Sequence, residues 1–304
     1  MPQAWAAEPP RFDVPHDADA PLSFVAYGDT RFTAREGDVA NPVARRALVA
    51  KIAAENPAAI LIGGDLVYQG DDPRDYEVYR SETAAWSAAH LPVFPALGNH
   101  EFRGCDQDES PCLENWWQAA QPLKLQPFRW YSVSIGPRVL AVMLDSDAGL
   151  NPKSLQGQWF AQQMTGSDPQ VQFILIVIHY PPVRDPLFPR GKDEKQIARY
   201  LAKHASGLHP RVVVVGSHVH NYERYYRDGV TYLVSGGGGA KPVPDPRLFG
   251  GELSKLRTSV NFHYIRLHLE NGVLSGTMVR FDTDKRGNVE WTEPDHFEVR
   301  AKGL

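Results

Sequence analysis

Ala58-Ala59-Ile60-Leu61-Ile62-Gly63-Gly64-Asp65-Leu66-Val67-Tyr68 is an apolar run that breaks on two glycines and sets a carboxylate directly after them. A short apolar run bounded by turn residues predicts a buried strand over 58–62. The glycines permit a tight turn, so Asp65 falls at the strand's C-terminal mouth. Four other segments repeat this arrangement. Leu22 to Tyr27 ends on Gly28-Asp29-Thr30-Arg31, and Val93 to Leu97 ends on Gly98-Asn99-His100-Glu101. Val171 to Ile178 ends on His179-Tyr180, and Val212 to Val215 ends on Gly216-Ser217-His218-Val219-His220. Helical patterns lie between the strands. Asn41-Pro42 and Asp72-Pro73 are helix starts with a capping side chain and proline in the first turn. Asn151-Pro152 is expected to open a helix through Met164, and Asp193 to His204 is expected as another.

Alternating strands and helices define an α/β chain, and ligand sites in open α/β sheets gather beyond the C-terminal strand ends. Trp130 to Ile135 and Val139 to Leu144, around Gly136-Pro137, predict an antiparallel hairpin. Tyr232 to Ser235 runs into four glycines, Gly236 to Gly239, without the Lys-Ser/Thr of a phosphate-binding P-loop. A close backbone approach is the expectation there. Phe262 to Phe281 carries Asn271-Gly272 between two alternating runs, a strong hairpin signal. The expected fold is a four-layer sandwich: two packed mixed β-sheets flanked by α-helices. Nothing resembles an interdomain linker, so residues 21–304 are expected as one domain behind an N-terminal tail, 1–20. Met1 to Glu8 suits either the remnant of a cleaved signal peptide or a frayed natural terminus.

The chain has 304 residues, 42% of them hydrophobic, enough for a substantial core. Its formal net charge is -4 and no Lys/Arg-rich run occurs, which argues against nucleic-acid backbone binding. No stretch approaches the ~20 apolar residues of a membrane span. Cys105 and Cys112 lie in one polar loop. They read as a local disulfide, implying a periplasmic or secreted protein. The alternative is two free thiols in a cytoplasmic one.

The strand-end residues are oxygen and nitrogen donors of the kind hard and borderline metals take. Asp29, Asp65, Tyr68, Asn99, His179, His218 and His220 together could serve two adjacent ions. Two-metal sites are a standard way to hydrolyse phosphate esters. His218 and His220 would diverge on an extended segment but could reach two metals from a tight loop. His16, His90, His204, His209 and His296 lack this context and are expected at the surface or in structural roles. Asp145 and Asp147 are expected to terminate a strand.

Together these motifs resemble the calcineurin-like metallophosphoesterases, and within them the purple acid phosphatases. The matching residues are Gly28-Asp29, Gly64-Asp65-Leu66-Val67-Tyr68, Gly98-Asn99-His100-Glu101, His179, His218-Val219-His220 and the continuation Asn221-Tyr222-Glu223-Arg224. The resemblance implies that Asp29, Asp65, Tyr68 and His220 hold one metal. Asp65 would bridge to a second, held also by Asn99, His179 and His218. It implies iron paired with zinc, manganese or iron, and a metal-bound hydroxide as nucleophile. His100 would serve as acid for the leaving group or stabiliser of transition-state charge. Arg31, Asn99, His100 and Tyr180 are the expected substrate contacts.

Two departures stand out. Arg31 occupies a place where the wider superfamily has histidine, as expected for the purple acid phosphatase branch. There it could clamp phosphate or pair with a nearby acid. Ser217 replaces a usual glycine, for which altered loop flexibility without loss of metal is expected. The expected function is hydrolysis of small phosphate monoesters. A phosphodiesterase with the same centre and a catalytically silent, metal-stabilised binding module are the alternatives.

Overall fold

A computed structural model describes residues 8–184, 192–242 and 262–303. Their strands segregate into two sheets. The seven-stranded sheet has the order β1 (Arg11–Val14), β5 (Tyr131–Ile135), β6 (Val139–Leu144), β7 (Phe173–Ile178), β8 (Arg211–Gly216), β10 (Val230–Ser235), β9 (Tyr222–Arg227). The six-stranded sheet has the order β13 (Val289–Arg300), β12 (Val273–Thr283), β11 (Phe262–Glu270), β2 (Leu22–Tyr27), β3 (Ile60–Ile62), β4 (Val93–Pro95). Both are mixed. β6, β7, β8 and β10 run parallel, as do β2, β3 and β4.

Residue alternation explains the layering. In β7, Phe173, Leu175 and Val177 face the other sheet and join a core with Phe24, Leu61 and Tyr131. Ile174, Ile176 and Ile178 point the opposite way, against Phe160 of helix α5 (Leu155–Thr165) and Leu201 of helix α6 (Lys192–His204). A strand buried on both faces must be apolar throughout, which is why β6 and β7 carry no polar residue. Each such side chain contributes roughly 1.5–3 kcal/mol of burial free energy. Helix α1 (Pro42–Glu55) packs Leu48 and Ile52 into the core on the outer face of the six-stranded sheet. The result is four layers, helix–sheet–sheet–helix.

The local signals hold in detail. Asn41 Oδ1 accepts from the backbone N–H groups of Val43 and Ala44, capping α1. Asp72 caps α2 (Pro73–Glu82) by accepting from Arg74 N–H. Asn271 and Gly272 take φ of 48° and 68°, the left-handed pair that the β11–β12 hairpin requires.

Differences are few. Helix α5 starts at Leu155 behind a Ser154 cap, because Asn151 to Ser154 closes a turn of its own. Residues 11–14, within the expected tail, pair with β5 as an edge strand, and Met1 to Ala7 lie outside the described residues. The cysteine segment is half helical, since α4 (Ser110–Ala119) begins inside it. Cys105 and Cys112 are disulfide-bonded. No helix among the described residues is long and apolar enough to cross a membrane.

Candidate metal centre

The loops after β2, β3, β4, β7 and β8 converge at one edge of the two sheets. Backbone hydrogen bonds tie them together: Gly28 N–H donates to Ser235 O, Asp29 N–H to Gly64 O, and Ser217 N–H to His179 O. Asp29, Arg31, Asp65 and His218 all have positive φ, between 47° and 66°. Each such non-glycine residue costs on the order of 1 kcal/mol or more, and clusters of them mark functional sites. The strain turns each side chain sharply inward. Small residues make the approach possible. A Cβ on Gly64 would lie 2.8 Å from His179 Nδ1, and one on Gly236 2.4 Å from Asp29 Oδ2. The four-glycine segment thus serves the close approach its sequence predicted.

Asp29, Asp65 and His179 are fully buried and bring ligand atoms within 4.8 Å of one another. His179 Nδ1 bonds the Gly63 carbonyl at 3.0 Å. A carbonyl only accepts, so Nδ1 carries the proton and Nε2 is a lone pair. That lone pair faces the Asn99 amide at 3.0 Å and Asp65 Oδ1 at 3.2 Å. His220 repeats the pattern. Its Nδ1 donates to Lys241 O at 2.7 Å, and Nε2 lies 3.6 Å from Asp29 Oδ1. His220 Nε2 and both Asp29 oxygens are buried without a hydrogen-bond partner. His218 sits with its ring centroid 5.1 Å from that of His179.

Burial, then repulsion from Asp65, raises the Asp29 carboxyl well above the usual carboxylate range. Burial likewise holds the imidazoles neutral. His218 falls to about 3, with His179 as the next cause, and His220 to about 4, with Arg31 next. Neutral imidazoles and buried carboxyl groups whose nitrogens and oxygens converge on one space are the donor set a divalent or trivalent cation satisfies, displacing any proton they hold. The residues therefore fit a metal.

His100 occupies the rim. Its Nδ1 donates to Tyr68 O at 2.7 Å, and Arg31 Nη2 donates to its Nε2 at 2.8 Å. The same guanidinium lies 3.4 Å from Asp65 Oδ2, so the acid partner considered for Arg31 is Asp65. Burial leads the downward shift of His100, Arg31 adding to it. The Tyr68 ring is 5.3 Å from that of His100, and both residues line a cavity of about 390 Å³ with Arg31, Arg103, His220 and Lys241. Tyr180 packs edge-on against His218 at 4.5 Å, its N–H bonded to Ser146 Oγ.

Some supporting residues had no assigned role in the sequence. Glu101 is buried and accepts from the N–H groups of Gly98, Asp65 and Val67, pinning two site loops together. Burial, then Asp65, raises its carboxyl to about 8. Its only signal was an acid at the end of the Asn99-His100 motif. Asp75 joins the loops at Thr33-Ala34 and Gln69 in the same way. Asp145 ends β6 as expected, bound by Arg129 and by Gln156. The Ser217 side chain fills the space over Gly28 and Gly63, and its Oγ donates to Ser235 O.

This edge holds a buried set of carboxyl and imidazole donors between two mixed sheets, the arrangement of a candidate metal-binding α/β enzyme. Residues 22–222 match the calcineurin-like phosphoesterase family, and the chain belongs to it. Among solved structures, it is similar to purple acid phosphatase PPD1 from yellow lupin (Lupinus luteus) seeds, with a TM-score of 0.69 and 16% identity. That match covers 94% of this chain but 55% of the lupin chain, so this chain spans about half of its length. A dimetal phosphatase from Danio rerio matches with a TM-score of 0.60 and 16% identity, covering 92% of this chain and 99% of that one. GAP50, described as the anchor in the inner membrane complex of Plasmodium, matches at 0.61 and 15%, covering 93% and 89%. Identities this low establish the shared fold alone. No curated protein sequence matches the chain.

Proposed function

We propose that this protein hydrolyses small phosphate monoesters at a two-metal centre. The observation that carries the proposal is the set of buried, unpartnered lone pairs on Asp29 and His220 beside the Asp65–His179 contact. Asp29, Asp65, Tyr68 and His220 would hold one ion, and Asp65, Asn99, His179 and His218 the other. Iron with zinc, manganese or a second iron suits these ligands. Bound metal would supply Lewis-acid charge to the phosphoryl group and activate water.

The chain's own residues do the rest. Gly63 O and Lys241 O fix the tautomers of His179 and His220, so that Nε2 of each stays available. Arg31 pivots from His100 to the phosphoryl oxygens, its fork of N–H donors meeting two of them. His100 Nε2 is thereby freed toward the leaving-group oxygen, while Tyr68 O keeps the ring oriented. The incoming phosphate charge favours protonation of that nitrogen. Asn99 and Tyr180 border the phosphate. We place these roles within one domain, the expected 21–304 together with the edge strand β1, exported to an oxidising compartment in keeping with the Cys105–Cys112 bridge.

The test is hydrolysis of a chromogenic monoester and its matching diester, with and without chelator. Monoester turnover abolished by chelation and restored by metal is the expected result. Faster diester turnover would replace the monoesterase reading with a diesterase one. Two bound metals with no turnover of either would favour the silent binding module.

A further inference from the structure

The cavity above the candidate metal centre has a rim that the metal ligands do not explain. Three guanidiniums lie against one ring, Tyr68. Arg103 is 4.3 Å from its centroid, Arg35 5.7 Å and Arg31 6.0 Å. Arg31 shares its charge with Asp65. Lys241, also on the rim, pairs with Asp38. Among the described residues, Arg35 and Arg103 are within ion-pair distance of no carboxylate. Both are exposed, yet they crowd one aromatic ring beside a third cation. Arg103 lines the cavity and Arg35 reaches the same ring, and two guanidiniums that no described carboxylate pairs offer an anion charge-assisted hydrogen bonds.

Arg103 is also held in place. Its N–H donates to His100 O, and its carbonyl accepts from Asp71 N–H. Gly104 follows with φ of +94°, where a Cβ would meet the Asp71 carboxylate at 2.2 Å. Cys105 comes next and is bridged to Cys112. The segment that presents Arg103 is therefore fastened on both sides. Tyr68 packs on His100, the residue read above as facing the leaving group. Arg35 and Arg103 consequently lie on the leaving-group side of the centre.

We propose that Arg35 and Arg103 form an anion subsite on that side, and that the preferred substrates are phosphate esters whose alcohol carries a second anionic group, phosphate or carboxylate. This rests on the monoesterase reading for its chemistry, though not for its binding. The probes are propylphosphonate, the same chain ending in carboxylate, and the same chain ending in a second phosphonate. Binding is measured by calorimetry on the metal-loaded protein and on Arg35→Ala/Arg103→Ala, with circular dichroism confirming the fold of the variant. The doubly anionic probes should bind about tenfold more tightly than propylphosphonate, the gain expected for two partly exposed charge pairs. That preference should disappear in the variant. Which anionic end gains more identifies phosphate or carboxylate as the second group. Equal binding of all three probes, or an unchanged preference in the variant, overturns the subsite. A preference that holds while no ester is hydrolysed leaves the subsite standing and removes the phosphatase reading instead.

Discussion

At the residue scale, His100 and Tyr68 are where the proposed separation of catalysis from metal binding is tested. His100 directs Nδ1 at a backbone carbonyl and Nε2 at Arg31, so none of its recorded bonds requires a metal. His100→Ala should therefore keep both ions while lowering turnover by about 10²–10⁴-fold, the usual worth of acid–base assistance. Metal analysis beside steady-state kinetics checks this, and loss of metal would make His100 a ligand. Tyr68 faces the same cavity, and its role decides whether iron colours the protein. A phenolate on Fe(III) gives a visible charge-transfer band, whereas zinc, with a filled d shell, gives none. The iron-loaded protein should be purple or pink and the Tyr68→Phe form colourless. Matching spectra with iron present in both would place Tyr68 outside the coordination sphere.

At the scale of elements, the site depends on strand ends packing closer than side chains normally permit. A Cβ on Gly63 would sit 2.4 Å from Ser217 Oγ, while the atom it would meet from another residue, Tyr27 O, is an ordinary 3.7 Å away. Ser217 is thus the main obstacle. Gly63→Ala should destabilise by about 1–3 kcal/mol, as overpacking of a buried site does. Adding Ser217→Gly should recover most of that loss. Denaturant melts of the two single variants and the double variant read the coupling, and an additive cycle would mean the loops adjust independently. The same contact explains how a serine fits here, since Gly28 and Gly63 at the β2 and β3 ends leave room for its side chain.

Across the whole molecule, Asp295 couples the two sheets. It lies on β13, an edge of one sheet, and accepts from Arg224 and Tyr222 on β9, an edge of the other. Burial acts to raise the Asp295 carboxyl, but the bonds from Arg224 and Tyr222 outweigh it and leave the value below its ordinary 3.8. A depressed folded-state value means the contribution is present above the unfolded pKa and lost as pH falls through the folded one. Stability should therefore decline below about pH 4, the ordinary carboxylate range. Asp295→Asn should flatten that decline and cost about 1–2 kcal/mol near neutrality, a value held down by the partial exposure of Arg224. Thermal melts from pH 3 to 7 test it. An unchanged acid limb would show that other carboxylates carry the dependence.

Much of this was legible because strand ends announce themselves locally. Apolar runs such as Phe173 to Ile178 must be buried on both faces, and the glycine-carboxylate and histidine residues that follow them have nowhere to lie but the sheet edge. Caps at Asn41 and Asp72 and the Asn271-Gly272 turn were local for the same reason: each depends on residues within four positions. The polar strand β13, the edge strand β1 and the start of α5 were not legible, because edge pairing and the Ser154 cap depend on partners that periodicity does not encode. Sequence likewise fixed the types of donor at the site but not their environment. Only the folded chain sets Glu101 beneath two loops, points Arg31 at His100, and brings Arg35 and Arg103 against Tyr68. Those contacts join residues tens of positions apart, and their energies arise from burial and proximity that exist only after the two sheets have packed.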